Sequence, residues 1–359
     1  MTTRYVLRRL GAGIVVVVAL TFVTFAVFRL IPYNAGHIIA GPTPTPAQLE
    51  AADHQLGVDQ SLPAQYGHFL WRIVHGNLGR TFTGESVNAL MASTIPVTAL
   101  LVAGGALLML AIALPLAIVS ARHAGTAIDR GILVVSVLGI ALHPFVVAVV
   151  LKDVFGTHLH FLPYGGYCPM HHVGPPVVPP GSNETLSQAA DSSAAFHGGE
   201  TCRGEAWPWL WFQHMVLPWV TFALFLLPFY VRILRTRLVE TYAEPYVVVA
   251  RAKGASERRI LARHLLRIVF ATTLAMLALD VGTAVTAAIY VESAYSLPGL
   301  GREALTALGS GGEQGYDLPT MAAIVLIVAV AVTVLSLLAD LGAARLDPRI
   351  ALGSSRRER

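Results

Sequence analysis

Six apolar runs, each close to the length of a bilayer crossing, constrain this chain more than any other feature. They fall at residues 11–31, 96–120, 131–151, 210–230, 268–291 and 319–341, against the ~20 residues a transmembrane helix needs. Backbone N–H and C=O groups in hydrocarbon have no water to bond, so each run must satisfy its own polar groups. Helices do this, and the strict alternation of membrane-barrel strands is absent from these runs. Charged residues agree with the reading: they make up 13% of the chain, about half the share in a soluble domain. The expectation is an all-α integral membrane protein with six transmembrane helices.

The first run follows Arg4, Arg8 and Arg9, as the apolar core of a signal peptide would. It is longer than a usual signal core and no small-x-small cleavage site follows, so it reads as an uncleaved spanning helix. Basic residues orient the bundle. With the N-terminus inside, 19 of the 25 Lys and Arg lie on the cytoplasmic side, leaving Arg29, Arg72, Arg80, Lys152, Arg203 and Arg302 outside. Both termini are then expected in the cytoplasm. The formal charge of +4 reflects this topology and contact with the inner leaflet, not nucleic-acid binding. Trp207, Trp209 and Trp211 precede the fourth run, where an outer aromatic belt belongs.

The chain divides accordingly into a tail with the first helix (1–32), an outer loop subdomain (33–95), helices two and three (96–154), an outer insertion (155–208), helices four to six (209–349) and a cytoplasmic tail (350–359). Short helical signals occur in the outer loop at 46–50 and 65–74. The insertion is rich in Pro, Gly and Ser, which predicts an irregular lobe. It also holds both cysteines, Cys168 and Cys202. An oxidising outer compartment favours a disulfide between them. The competing metal site would use Cys168, His171, His172 and His197, but the segment has one Cys-x-x-His and no second tight pair. No internal repeat supports an inverted-half transporter within one chain.

Between the fourth and fifth runs, a basic loop at 236–266 stays inside. Residues 246–253 can form two helical turns, Gly254 is suited to a left-handed stop, and Ser256 can cap a second helix with Glu257 in its first turn. On that helix Leu261, Leu265 and Ile268 share one face, while Arg259, Arg263 and Arg267 form a basic stripe suited to anionic headgroups or an acidic partner. Such a segment is on its own an ordinary interfacial helix. The short side chains Ala250, Ala252, Gly254 and Ala255 at the bend permit the close backbone approach that docking requires.

The run Ala250-Arg-Ala-Lys-Gly254, with His264 downstream, resembles the coupling loop of bacterial ABC-importer permeases of the dipeptide/oligopeptide type. The resemblance extends along nearly the whole chain. Residues 56–66 are similar to the family's Gly-Leu-Asp-Gln-Pro-Leu…Gln-Tyr signature, and Gly76-Asn-Leu-Gly-Arg-Thr-Phe82 to its Gly-Asp-Leu-Gly-Arg-Ser-Phe. Glu292 with Leu297-Pro-Gly-Leu-Gly301, Tyr316-Asp317 before Pro319, Asp340, and Asp347-Pro-Arg349 match in order as well. Three departures stand out: Val248-Val249-Ala250 occupies the register of Glu-Ala-Ala, Tyr33-Asn34-Ala35 replaces Gly-Asp-Pro, and the outer insertion is longer. The resemblance implies the type I ABC-importer permease fold with an outer insertion, in the bacterial inner membrane. It further implies a homologous second permease, two cytoplasmic ABC ATPases and an external substrate-binding protein as partners. The ATPase-coupling residues would be Ala250, Arg251, Ala252, Lys253, Gly254, Ala255 and Ser256.

The chain carries no Walker A loop, since its only lysines, Lys152 and Lys253, follow Leu151 and Ala252. It is expected to bind no cofactor or metal, with ATP and Mg²⁺ on the partner ATPases. His-Glu-x-x-His and Gly-x-Ser-x-Gly are likewise absent, so a catalytic reading lacks its central residues. A charge at the bilayer centre costs ~2.5–3.5 kcal/mol or more, which singles out Asp280 in the fifth run. It either lines a translocation path or pairs with a polar group on a neighbouring helix. Asp280 and Glu292 are the candidate path residues, while His143 and Asp340 read as structural partners. Cargo is expected to be a di- or oligopeptide, with glutathione or nickel complexes as alternatives within the fold. A non-transport scaffold or sensor is the alternative outside it.

Overall fold

The computed structural model describes residues 3–30, 45–48, 61–81, 84–168, 207–309 and 317–346. Its helices are α1 (Thr3–Leu30), α2 (Leu62–Val74), α3 (Val87–Arg122), α4 (Ala127–Ile140), α5 (Pro144–Leu151), α6 (Trp207–Tyr242), α7 (Pro245–Ala252), α8 (Glu257–Ile260), α9 (Leu266–Tyr295), α10 (Leu300–Gly309) and α11 (Leu318–Leu346). Wider π turns continue α5 over Lys152–His158 and join α8 to α9 over Leu261–Leu265. Five helices carry Pro in their first turn, α2, α5, α6, α7 and α11, where the missing N–H would have had no partner anyway.

Among the described residues, Val87–Arg122, Pro208–Tyr242 and Leu318–Ala339 are long and apolar enough to cross a bilayer. The apolar stretch of α1, Gly11–Ala26, is shorter. Pro218 and Pro228 sit inside α6 without ending it. The expected third crossing, 131–151, in which Pro144 is placed to kink the helix, is two arms, Ala127–Ile140 and Pro144–His158, meeting at 100°. Pro144 is the cause: its ring bars His143 from helical backbone, and His143 takes the extended φ −71°, ψ 138°. The fifth crossing lies within α9 and is preceded by a 41° bend.

One compact unit comprises residues 97–302 and 335–359. Here α6 is the central helix, packed on α4, α5 and α9. Met109, Ala113, Ala117 and Ala121 of α3, four residues apart, join Phe222, Leu226, Tyr230 and Leu234 of α6 in one buried cluster. Lipid is as apolar as leucine, so helices associate here through close packing and interhelical hydrogen bonds, each of the latter contributing about 0.6 kcal/mol and seldom above about 1.7. Trp219 Nε1 donates to Leu100 O at 3.0 Å. Tyr295 OH donates to Ala148 O at 3.3 Å and pairs with Thr221 Oγ1 at 2.9 Å, tying α9 to α5 and α6. Trp211, placed by the sequence in an aromatic belt, packs edge-on against Trp219 with its Nε1 buried, whereas Trp209 is exposed.

A second unit comprises residues 2–96 and 303–334. Tyr66 of α2 lies among Phe22, Phe25 and Phe69, and its hydroxyl donates to Val18 O at 3.2 Å. The Gly76–Arg80 stretch is a tight turn held by side-chain amides: Leu78 N donates to Asn88 Oδ1 and Gly79 N to Asn77 Oδ1. Asp317 opens α11, accepting from Thr320 N at 3.3 Å and Thr320 Oγ1 at 2.9 Å. Most of the Pro-rich outer insertion, His171, His172, His197, Cys202, Tyr33–Ala35 and Asp347–Arg349 lie outside the described residues.

Candidate functional site

The basic loop folds as the sequence requires, with one closed turn at its centre. Pro245 starts α7 after an extended Glu244. At the other end Gly254 adopts φ +83°, a left-handed conformation that costs glycine nothing. Ala255 N then bonds Ala250 O at 3.1 Å and Gly254 N bonds Arg251 O at 2.9 Å. These are the paired bonds of a Schellman stop, accompanied by contact of Ala250 and Ala255 with the core. Ser256 occupies the N-cap position of α8 with the expected extended backbone, but its side chain makes no capping bond.

Two faces result. Val247, Ile260 and Leu265 are fully buried against Leu234 and Leu238 of α6, which anchors the loop to the bundle. On the other side Tyr246, Val248 and Val249 are 42%, 51% and 51% exposed. Glu257 Oε1 accepts from Arg251 Nε at 2.6 Å across the bend. That guanidinium holds the Glu257 carboxyl below the usual range, but the pair is exposed and screened, so it orients the two helices more than it stabilises them. The expected stripe of Arg259, Arg263 and Arg267 is interrupted by the π turn Leu261–Leu265, whose extra residue breaks the four-residue spacing.

Beneath the loop lies a pair the sequence did not reveal. Asp129, in the first turn of α4, accepts from Arg235 Nε at 3.1 Å and Nη2 at 2.6 Å, from Ser120 Oγ at 2.5 Å and from Gly125 N at 2.8 Å. Its side chain is 3% exposed and that of Arg235 is 21%. Every carboxylate lone pair facing the protein is used, and the bidentate geometry ties the α3–α4 turn to α6. Arg235 entered the sequence reading only as an inside charge, and its partner lies 106 positions away. The one local signal was Thr126-x-x-Asp129 at a helix start. Asp129→Ala is expected to cost about 3 kcal/mol by leaving the guanidinium unpaired. Asp129→Ala combined with Arg235→Met should recover most of that loss, measured as thermal unfolding of the purified protein in detergent. Equal midpoints for the two variants would contradict the pairing.

The intramembrane candidates part company. Asp280 is half-buried in α9, with Oδ2 accepting from the buried Tyr230 OH at 2.8 Å. Glu292, expected on a translocation path, is fully enclosed instead. Its Oε1 accepts from Thr98 Oγ1 at 2.6 Å, and its Oε2 from Gly301 N at 2.7 Å and Arg302 N at 3.0 Å. Leu300 N in turn donates to Thr98 Oγ1 at 2.8 Å. The carboxylate thus binds the start of α10 to the end of α9, and its oxygens are occupied by that task. His143 is exposed at the α4–α5 bend, where its ring meets Tyr290 edge-on and its Nδ1 accepts from Phe145 N at 3.3 Å. Cys168 is buried and disulfide-bonded. The side chain of Asp340 is outside the described residues, and no metal-holding cluster occurs among those described.

Residues 113–352 match the family described as binding-protein-dependent transport system inner membrane component. Residues 2–98 match the corresponding N-terminal membrane-component family. The chain is 30% identical over 351 residues to a Brucella suis protein named "Putative peptide permease protein", covering 97% of this chain and 98% of that one. It is 28% identical over 355 residues to an Escherichia coli protein named "Probable D,D-dipeptide transport system permease protein", covering 98% and 99%. A Sinorhizobium fredii protein named "Probable peptide ABC transporter permease protein" is 26% identical over 347 residues, covering 96% and 98%.

Proposed function

The chain belongs to the binding-protein-dependent transport system inner membrane component family, and on that premise we propose that it is the permease subunit of an ATP-driven peptide importer. The supporting observation is the basic loop: a Schellman-closed bend rooted by Val247 and Ile260 and presenting Tyr246, Val248 and Val249 outward. An exposed apolar ridge on a charged loop suits a protein partner, and rigid anchoring to α6 lets a push on the ridge reach the bundle. Two cytoplasmic ATPases supply that push, one of them at Ala250–Ser256. A homologous permease completes the pore and an external binding protein delivers cargo. Both termini face the cytoplasm, following the basic-residue asymmetry. Within the pore Asp280, steadied by Tyr230, offers a carboxylate to the cationic end of a peptide. Glu292 acts by bracing the turn into α10. The chain itself performs no catalysis; nucleotide and Mg²⁺ bind the ATPases.

A mild-detergent pull-down from the native membrane tests this. Recovery of a second permease and two ATPase chains, with ATP hydrolysis and uptake of a labelled dipeptide, is expected. Val248→Glu with Val249→Glu should remove the ATPases from the preparation while leaving the permease in the membrane at its normal level. Isolation of the chain alone, or full retention of ATPases by the double variant, would defeat the reading.

A further inference from the structure

An open groove of about 700 Å³ runs along α9 from the basic loop toward mid-membrane. Ala262, Leu266, Phe270 and Leu274, four residues apart, form its floor, with Leu110 of α3 as the facing wall. Thr273 also lines it, but its hydroxyl donates its one proton to Val269 O at 2.8 Å and is nearly buried, so it has no donor left for an occupant. Phe270 is 50% exposed. The groove therefore rewards hydrocarbon and offers a peptide no free side-chain hydrogen-bond donor.

Two basic residues flank its loop end along the chain. Arg259 lies one turn before Ala262, and Arg263 is adjacent to it; both are exposed. The ion pairs formed on this side of the bundle among the described residues use Arg235, Arg237 and Arg251. Among the described residues Arg259 and Arg263 meet no carboxylate. A helix of a second subunit filling the groove would have to cover two unpaired guanidinium groups, or bring acids to them. A molecule with an acyl chain and an anionic head satisfies both ends at once. We propose that this groove is a binding site for an anionic phospholipid, its acyl chain along Leu266–Leu274 and its phosphate at Arg259 and Arg263. On the orientation given above, that headgroup lies in the inner leaflet, beside the coupling loop, where lipid composition would bear on the loop's movement.

The test reads lipid binding and is independent of which cargo the importer carries. The full chain, purified with whatever subunits accompany it, is delipidated and offered phosphatidylglycerol or phosphatidylcholine of the same acyl composition. Retained lipid is counted by native mass spectrometry. Phosphatidylglycerol should be retained about 25-fold better, about fivefold for each arginine. Arg259→Gln with Arg263→Gln should abolish that preference, and Ala262→Trp should reduce retention of both lipids with the arginines intact. Equal retention of the two lipids by the unaltered protein overturns the proposal, as does unchanged retention in Ala262→Trp. Efficient disulfide capture of the second permease through Phe270→Cys also overturns it, because the groove is then covered by protein.

Discussion

Glu292→Leu is expected to lower the unfolding free energy by about 4 kcal/mol, from two backbone donors and one hydroxyl left without an acceptor at about 1–3 kcal/mol each. Gly301 N, Arg302 N and Thr98 Oγ1 all converge on this carboxylate. None can turn to water, since Glu292 is fully buried and Thr98 nearly so. The surroundings cannot close over the lost group either. A Cβ at Gly301 would lie 2.5 Å from Ile289 Cα, and one at Gly299 would fall on the carboxylate itself. The Leu297-Pro-Gly-Leu-Gly301 turn is thus shaped around Glu292 and fails with it. Thr98→Val should cost less, about 1–2 kcal/mol, because it strands only Leu300 N and one carboxylate lone pair. Denaturation in mixed detergent, with the folded fraction followed by size exclusion, measures both. A Glu292→Leu protein within about 1 kcal/mol of the parent would remove the brace.

Local chemistry was legible in the sequence and distant pairing was not. The stop at Gly254 follows from one residue type in one place, and the structure puts it at φ +83°. The apolar runs likewise announce helices by length alone. Pro144 signalled a kink, but the 100° break depended on His143 yielding its helical conformation to the proline ring. Ser256 marked a helix start correctly, yet its side chain makes no capping bond, and Glu257 in the first turn pairs with Arg251. The π turn is invisible to any reading that assumes 3.6 residues per turn, so the basic stripe looked more regular than it is. Glu292 shows the deeper limit. An acid near a membrane helix end suggests a path, and only the fold of residues 297–302 reveals that backbone N–H groups occupy it. Asp129 and Arg235 are the same lesson in reverse: two ordinary-looking charges, 106 positions apart, form the most buried ion pair among the described residues.

Gly254→Arg is expected to abolish uptake while the protein stays in the membrane at near-normal abundance. No atom lies within 4 Å of where a Cβ would stand at this position, so the new side chain meets no internal clash. Its cost to the fold is the left-handed backbone, about 1–2 kcal/mol for a residue bearing a Cβ. The cost to function is larger, because the side chain projects from the bend between α7 and α8, the surface assigned to the ATPase. Gly254→Asn separates the two effects: asparagine tolerates the left-handed region and is short. It should retain uptake within about twofold, a free-energy effect below about 0.5 kcal/mol. Transport of labelled dipeptide by cells carrying each variant, normalised to membrane abundance, decides the matter. Loss with Arg and retention with Asn assigns the bend to docking. Equal loss in both would place the defect in the Ala250–Ala255 stop itself, and normal uptake by Gly254→Arg would take the coupling role away from this loop.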